Sequence, residues 1–105
     1  MGSVRRRPER LAEKLRRVRL ALGLSQDELL KRLEAEDQID SARISGFETG
    51  LREPSLMILL RYARLACVNM EVLADDELDL PEKLPGPTSH EEIKRTFTSR
   101  PKRKR

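Results

Sequence analysis

The chain has 105 residues, of which 38% are charged and 37% are apolar, so it can form one small domain with a modest core. It has a single cysteine, Cys67, which excludes an intrachain disulfide and fits a reducing cytoplasm. No apolar run approaches the roughly 20 residues of a membrane span, and no apolar stretch follows the basic N-terminus as in a secretory signal. We therefore expect a cytoplasmic protein that has no membrane partner.

Charge is distributed unevenly along the chain. Residues 1–22 carry eight Lys and Arg against two acids, residues 23–82 carry six against fourteen, and residues 83–105 carry eight against two. The two ends are each net +6 and the middle is net −8, so the ends attract phosphate and the middle does not. We expect residues 1–7 to form a basic arm and residues 81–105, which are rich in proline, to form a disordered basic tail.

The first two of five predicted helices are marked by apolar spacing and by start signals. Helix 1 is predicted over residues 8–22, because apolar residues recur there at intervals of four, three and four: Leu11, Leu15, Val18 and Leu22. Helix 2 is predicted over about residues 25–35, because Ser25 with Glu28 three positions later is a capping-box pattern. The run after Leu33 is either a frayed last turn of this helix or a loop.

Helix 3 is predicted between a polar start and a glycine stop. Either Asp40 or Ser41 can cap its first amides, and Gly50 can end it. Ile44 and Phe47 lie three residues apart and form the inward face.

Two further helices complete an all-α prediction for residues 8–80. Ser55 caps helix 4, and its inward residues are expected at helical spacing: Leu56, Leu59, Tyr62, Ala63 and Ala66. Asn69 can cap a short helix 5, with Val72 and Leu73 inside. The acidic series after them, residues 75–79, is interpreted as a solvated helix end or a short linker. No stretch of useful length shows the alternation of a strand.

Two segments carry a resemblance to a known family. One reads Leu24-Ser25-Gln26-x-Glu28-Leu29, and the other reads Arg43-Ile44-Ser45-Gly46-Phe47-Glu48-x-Gly50-x-Arg52-x-Pro54. In this order they resemble the helix-turn-helix of XRE, or Cro/lambda-repressor-like, transcriptional regulators. The resemblance covers roughly residues 8–74. It implies a compact lambda-repressor-like bundle of five helices, usually dimeric on DNA, with helix 3 reading the major groove.

The resemblance also implies DNA-binding roles for individual residues. Gln26 matches a phosphate and base-edge contact at the start of helix 2, and Arg52 matches a contact to the DNA backbone. Glu48 matches an inward acid with a structural role. The outward positions of the reading helix match Ser41, Ala42, Arg43, Ser45 and Gly46.

The chemistry of these side chains supports the same roles. Arg43 is the one basic residue of predicted helix 3, and a guanidinium can bond guanine O6 and N7 together. A surface salt bridge with one of the preceding acids is the alternative for Arg43. Ser41 and Ser45 can bond phosphates or bases, Ala42 could touch a thymine methyl, and Gly46 allows close approach of the backbone. The free amides at the start of helix 3 favour a phosphate.

Three features depart from the family pattern. The segment between Leu33 and Ile39 is about four residues longer than the family's usual turn between helices 2 and 3. Cys67 stands where the family often has a glycine that closes helix 4. The acidic middle of the chain is unusual for a protein that binds an operator strongly.

We predict a sequence-specific transcriptional regulator, acting as a repressor, that binds double-stranded DNA as a homodimer through about residues 70–80. The alternative is a protein-interaction module, antitoxin-like or an adaptor, in which the acidic middle faces a protein partner. An enzyme is not expected, because no catalytic residues are paired. No cofactor or metal is expected, because His90 is the one histidine and Cys67 the one cysteine.

Overall fold

The computed structural model describes residues 8–86 and contains five α-helices in that range. They are α1 (Leu11–Ala21), α2 (Gln26–Arg32), α3 (Ser41–Thr49), α4 (Leu56–Ala66) and α5 (Met70–Ala74). The all-α prediction with five helices is confirmed, and residues 8–86 contain no strand. None of the described helices has both the length and the apolar content that a membrane span requires. The predicted basic arm, residues 1–7, and residues 87–105 of the predicted tail, with His90, lie outside the described range.

The core is built from aliphatic side chains with two aromatic residues, Phe47 and Tyr62, in agreement with the scarcity of aromatic residues. Helix α1 packs against α3, α4 and α5, and α3 packs against α2 as well. The largest fully buried side chains come from all five helices and the end of α2: Leu15, Val18, Leu29, Leu33, Ile44, Tyr62 and Leu73. Leu56 was predicted to face inward, but it is 74% exposed. It lies in the first turn of α4, ahead of the packed face, and Ile58 is buried there instead.

Three of the predicted helix starts are made by side-chain caps. Ser25 forms both bonds of its capping box, and Ser55 accepts a hydrogen bond from the third amide of α4. Asp40, rather than Ser41, caps α3. Asn69 is the N-cap residue of α5, as predicted, but its side chain makes no cap hydrogen bond. Cys67 adopts the left-handed conformation, with φ of 56°, which is the geometry that a closing glycine would provide.

Helix α2 is shorter than predicted, and the segment after it is a loop. Glu34 has φ of 56°, a left-handed conformation that ends the helix. The guanidinium of Arg61 in α4 donates to the carbonyls of Leu33 and Glu34 at 3.3 and 2.8 Å. Ala35 is fully buried and anchors the loop to the core. A contact from another helix therefore terminates α2, and the helical spacing of α2 could not reveal it.

The acidic segment after α5 is not simply solvated, because it holds the start of α1. The Asp76 carboxylate accepts hydrogen bonds from the amides of Glu9 and Arg10 at 2.9 and 3.0 Å. Arg10 also donates to the Asp79 carboxylate at 2.6 Å. These backbone bonds lower the pKa of Asp76, and the Arg10 guanidinium lowers the pKa of Asp79. The residues following α5 thus hold the segment that leads into a helix about 66 positions earlier in the chain.

The hydrogen bonds of Asp76 make the stability of the fold depend on pH in the acid range. The pKa of Asp76 is lower in the folded chain than its ordinary value. The stability that ionised Asp76 contributes is therefore fully present above the ordinary pKa, and it is lost as the pH falls through the folded pKa. We expect Asp76→Ala to lower the melting temperature at neutral pH, with a smaller difference from the wild type under acid conditions. Glu77→Ala, an exposed neighbour, is the control. A difference that is independent of pH in thermal melts would contradict the assignment.

Lys14 is a charged residue inside the fold, with an exposed fraction of 2%. Its ammonium donates to the backbone carbonyls of Val72 and Asp75, both at 2.8 Å. These carbonyls lie at the end of α5, where helical partners are missing. Burial lowers the pKa of Lys14, since desolvation disfavours the charged form.

Replacing Lys14 by methionine keeps the length of the side chain but removes both hydrogen bonds. The two carbonyls at the end of α5 would lose their donor, so we expect the free energy of unfolding to fall by about 2 kcal/mol. Chemical denaturation measures this change, with Lys31→Met, an exposed lysine in α2, as the matched control. Equal stability of the two variants would show that the Lys14 contacts contribute nothing.

The packed part of the chain extends past the predicted boundary at residue 80. Leu80 is buried, and Leu84 packs partly against the core. The Gly86 amide donates to the Ala66 carbonyl at 2.7 Å. A Cβ atom at Gly86 would lie 2.7 Å from the Cys67 carbonyl oxygen, so this close approach requires glycine. Residues 81–86, which were predicted to be tail, therefore lie against the end of α4.

Candidate DNA-binding surface

The outward face of α3 brings together four of the predicted DNA-contacting residues. Ala42 and Arg43 are exposed, and Ser41 and Ser45 are half-buried, while Ile44 on the opposite side is fully buried. No side-chain acceptor bonds the Arg43 guanidinium among residues 8–86, so the surface salt bridge considered for it is not formed in that range. A helix that is packed on one side and carries small polar groups and one arginine on the other can enter a groove of DNA.

The start of α3 carries a negative charge, contrary to the expectation of a phosphate at its free amides. The Asp40 carboxylate accepts a hydrogen bond from the Arg43 amide at 3.1 Å. It therefore takes the place that an incoming phosphate would need and repels it. The capping residue that starts the helix thus excludes a phosphate at this position.

Gly46 is buried and does not lie on the outward face where it was predicted. The side chain of Arg52 covers it: a Cβ atom at Gly46 would lie 3.3 Å from Arg52 Cγ. The Arg52 amide also donates to the Gly46 carbonyl at 3.1 Å. Gly46 therefore makes room for the stem of Arg52, and its contribution to the surface is to hold that exposed arginine against α3.

A buried ion pair joins α1 to α3 beneath this surface. Arg19 donates to both carboxylate oxygens of Glu48, from Nε to Oε2 at 2.7 Å and from Nη2 to Oε1 at 3.0 Å. The two side chains are 13% and 3% exposed, and the hydrogen bond to Glu48 raises the pKa of Arg19. Gln26 Nε2, at the start of α2, donates to Glu48 Oε1 at 3.4 Å. The inward role predicted for Glu48 is confirmed, and its link to Gln26 was not predicted.

The order and packing of these helices have a counterpart among known proteins. A helix-turn-helix family model, HTH_3, matches residues 15–70, which include α2, α3 and the loop that carries Arg52. The chain belongs to this helix-turn-helix family. The resemblance to XRE, or Cro/lambda-repressor-like, regulators is thereby confirmed, and the protein is a DNA-binding regulator in this general sense. No curated protein and no solved structure gave a significant match to the chain.

The helix-turn-helix unit of this chain has a long acidic turn. Eight residues, 33–40, separate α2 from α3, whereas a helix-turn-helix turn usually has about three to four. Four exposed acids lie in it: Glu34, Glu36, Asp37 and Asp40. Residues 8–86 carry twelve Lys and Arg against sixteen acids, so the described domain is net −4. The net positive charge of the whole chain therefore comes from outside this domain, from residues 1–7 and 87–105.

Two features of the loop that follows the helix-turn-helix were not identified from the sequence. Leu51, next to Arg52 in the chain, is 81% exposed, and Met57 in the first turn of α4 is 57% exposed, so both leave apolar surface accessible after α3. Pro8 and Arg52 border one surface cleft of about 220 Å³, so the point where the basic arm joins the domain lies beside the Arg52 loop.

Proposed function

We propose that this protein is a sequence-specific transcriptional regulator that inserts α3 into the major groove of double-stranded DNA. The observation that carries the proposal is the outward face of α3 within a helix-turn-helix domain, with Arg43 exposed and without a side-chain partner among residues 8–86. A guanidinium so placed can bond guanine O6 and N7 together. Ser41 and Ser45 would bond bases or phosphates, and Ala42 would lie against a thymine methyl.

Contacts to the DNA backbone are assigned to residues around α3. Arg52 is held against Gly46 by its stem, so its charged end is positioned for a phosphate. Pro8, which follows the basic arm, residues 1–7, borders the same cleft as Arg52, and the arm would extend the contact along the DNA backbone. Because the described domain is net −4, we assign much of the attraction to phosphate to the two basic ends. Affinity should then fall steeply with salt, by about 0.9 in log–log slope for each phosphate neutralised.

We propose a homodimer that represses transcription by occupying a two-fold related operator. Much of the predicted dimer surface, residues 70–80, is already buried within the monomer, because Leu73 and Leu80 pack in its core. The apolar side chains that remain accessible there are Leu78, which is 36% exposed, the exposed Ala74, and the half-buried Met70 and Val72. A dimer formed through this surface would bury a small interface area, so it would depend on DNA to hold the two copies together.

The same fold could instead serve as an adaptor or antitoxin-like module that binds a protein. Two observations favour this second candidate: the net charge of −4 over residues 8–86, and the exposed apolar side chains Leu51, Leu56 and Met57. An acidic surface with apolar side chains suits a basic protein partner better than DNA.

Selection of bound sequences from a random DNA pool separates the two candidates. A regulator that binds as a dimer should enrich a palindromic motif, and its half-site spacing should be about one helical turn or a multiple of it. A gel-shift titration with the selected site should then resist an excess of non-specific DNA at moderate salt. Failure to enrich any motif, with retention of a folded domain, would favour the adaptor.

A further inference from the structure

We infer that Glu48 is a positioning residue for DNA recognition, because it orients the Gln26 amide so that Gln26 Oε1 accepts a hydrogen bond from an exocyclic amine of a base. The inference rests on the proposed function and adds a specificity for adenine or cytosine at one operator position. Glu48 itself is 9% exposed and does not lie on the outward surface. It acts through Gln26, which is half-buried at the start of α2.

The backbone at Gln26 is held in place by the cap that precedes it. Ser25 Oγ accepts a hydrogen bond from the Glu28 amide at 3.0 Å, and the Ser25 amide donates to Glu28 Oε1 at 2.8 Å. This reciprocal pair fixes the first turn of α2. The flexible part of Gln26 that remains is its own side chain.

The Glu48 carboxylate, which accepts the hydrogen bond from the Gln26 amide, is held in place as well. Arg19 bonds both oxygens of Glu48, and Arg19 Nη1 donates to the Leu24 carbonyl at 3.0 Å, just before the cap of α2. Three elements therefore hold one carboxylate oxygen next to Gln26: the linker before α2, helix α1 and helix α3. A bidentate pair with little exposure keeps this geometry more firmly than a surface contact would.

The chemistry of the pair decides which end of the amide is left to accept a hydrogen bond. A carboxylate only accepts hydrogen bonds, so the NH₂ group of Gln26 faces Glu48, and Gln26 Oε1 accepts no hydrogen bond within residues 8–86. In the major groove, the donors that an acceptor can meet are adenine N6 and cytosine N4. Phosphate oxygens, guanine O6 and thymine O4 are acceptors, so they cannot donate to Oε1 and can meet only the second N–H of the Gln26 amide. A freely rotating glutamine would not make this distinction.

The test is a random-pool selection with the full chain and two variants. Gln26→Met removes the amide at nearly constant size, and the double variant Arg19→Met/Glu48→Leu removes the carboxylate while leaving Gln26 in place. The double variant is used because replacing a buried ion pair with apolar groups preserves stability better than removing one partner. Circular dichroism and melting temperature establish that each variant is folded before selection.

We expect the wild type to enrich adenine or cytosine at one position by about tenfold over the other bases. Both variants should lose that preference at the same position and keep the preferences elsewhere, including the one assigned to Arg43. If the double variant does not fold, Glu48→Gln replaces it. The amide that this substitution introduces has a single oxygen to accept from both Arg19 and Gln26, so the same preference should weaken.

Three results would overturn the inference. The first is that the wild type prefers guanine or thymine at the affected position. The second is that Gln26→Met keeps the base preference of the wild type there. The third is that Gln26→Met loses this preference while the double variant, which lacks the carboxylate, keeps it. These results leave the proposed function intact, because the wild type would still enrich a motif. Absence of any motif with the wild type would overturn the proposed function, and this inference with it.

Discussion

Glu48→Ala should lower the free energy of unfolding by about 3 kcal/mol. The variant leaves the Arg19 guanidinium, 13% exposed, without the two oxygens that it bonds at 2.7 and 3.0 Å. An unpaired charge in such surroundings is costly because water does not replace the lost partner. Small domains have total stabilities of about 5–15 kcal/mol, so urea denaturation would detect the change easily.

Two comparisons separate the ion pair from other effects of Glu48→Ala. Glu71→Ala removes an exposed acid from α5 and should be nearly neutral. The double variant Arg19→Met/Glu48→Leu should be more stable than Glu48→Ala, since no charge is left without a partner. If the single variant is as stable as the wild type, then the pair is more hydrated in solution than its geometry implies.

Arg43→Ala should weaken binding to the selected DNA site by about 1–3 kcal/mol and relax the preference at one base position. The expected cause is the loss of paired hydrogen bonds to one guanine. Because Arg43 lies on the outward face and its side chain bonds no acceptor within residues 8–86, the domain itself should remain as stable as before. Fluorescence anisotropy with the selected site, and with single-base variants of it, measures both effects.

Arg32→Ala is a matched control for Arg43→Ala, because it removes an exposed arginine from the last turn of α2 and leaves α3 unchanged. It should leave the base preference unaltered and change the salt dependence by at most the contribution of one phosphate. If Arg43→Ala behaves like Arg32→Ala, with uniform weakening across all sites, Arg43 contacts the DNA backbone and another residue reads the base.

Local signals in the sequence were sufficient for the helices and for the family. The capping box at Ser25, the polar start at Asp40 and the glycine stop at Gly50 act within a few residues, so they can be identified without knowledge of the fold. The apolar spacing of α1 likewise predicted its buried face. These are short-range effects, and the order in which they occur is what the helix-turn-helix family shares.

The errors arose where a long-range contact decides the outcome. Gly46 was predicted to lie on the outward face of helix 3. It is buried because the side chain of Arg52 packs over it, which the local sequence does not show. The acids after α5 were predicted to be solvated, and only the approach of the segment before α1 gives Asp76 its two backbone hydrogen bonds. Leu84 was assigned to a tail because its neighbours are polar or proline, yet it packs on the core.

The sequence by itself determined the number and order of the helices and the starts of α2, α3 and α4, because capping and amphipathic spacing depend on neighbours along the chain. The tertiary structure alone decided which polar groups meet, such as Arg19 with Glu48, Lys14 with the end of α5, and Arg61 with the end of α2. Each of these cations bonds a residue at least 27 positions away, and such partners are set by helix packing rather than by local pattern. The orientation of Gln26 belongs to this second group, since the carboxylate that it faces lies 22 residues further along the chain.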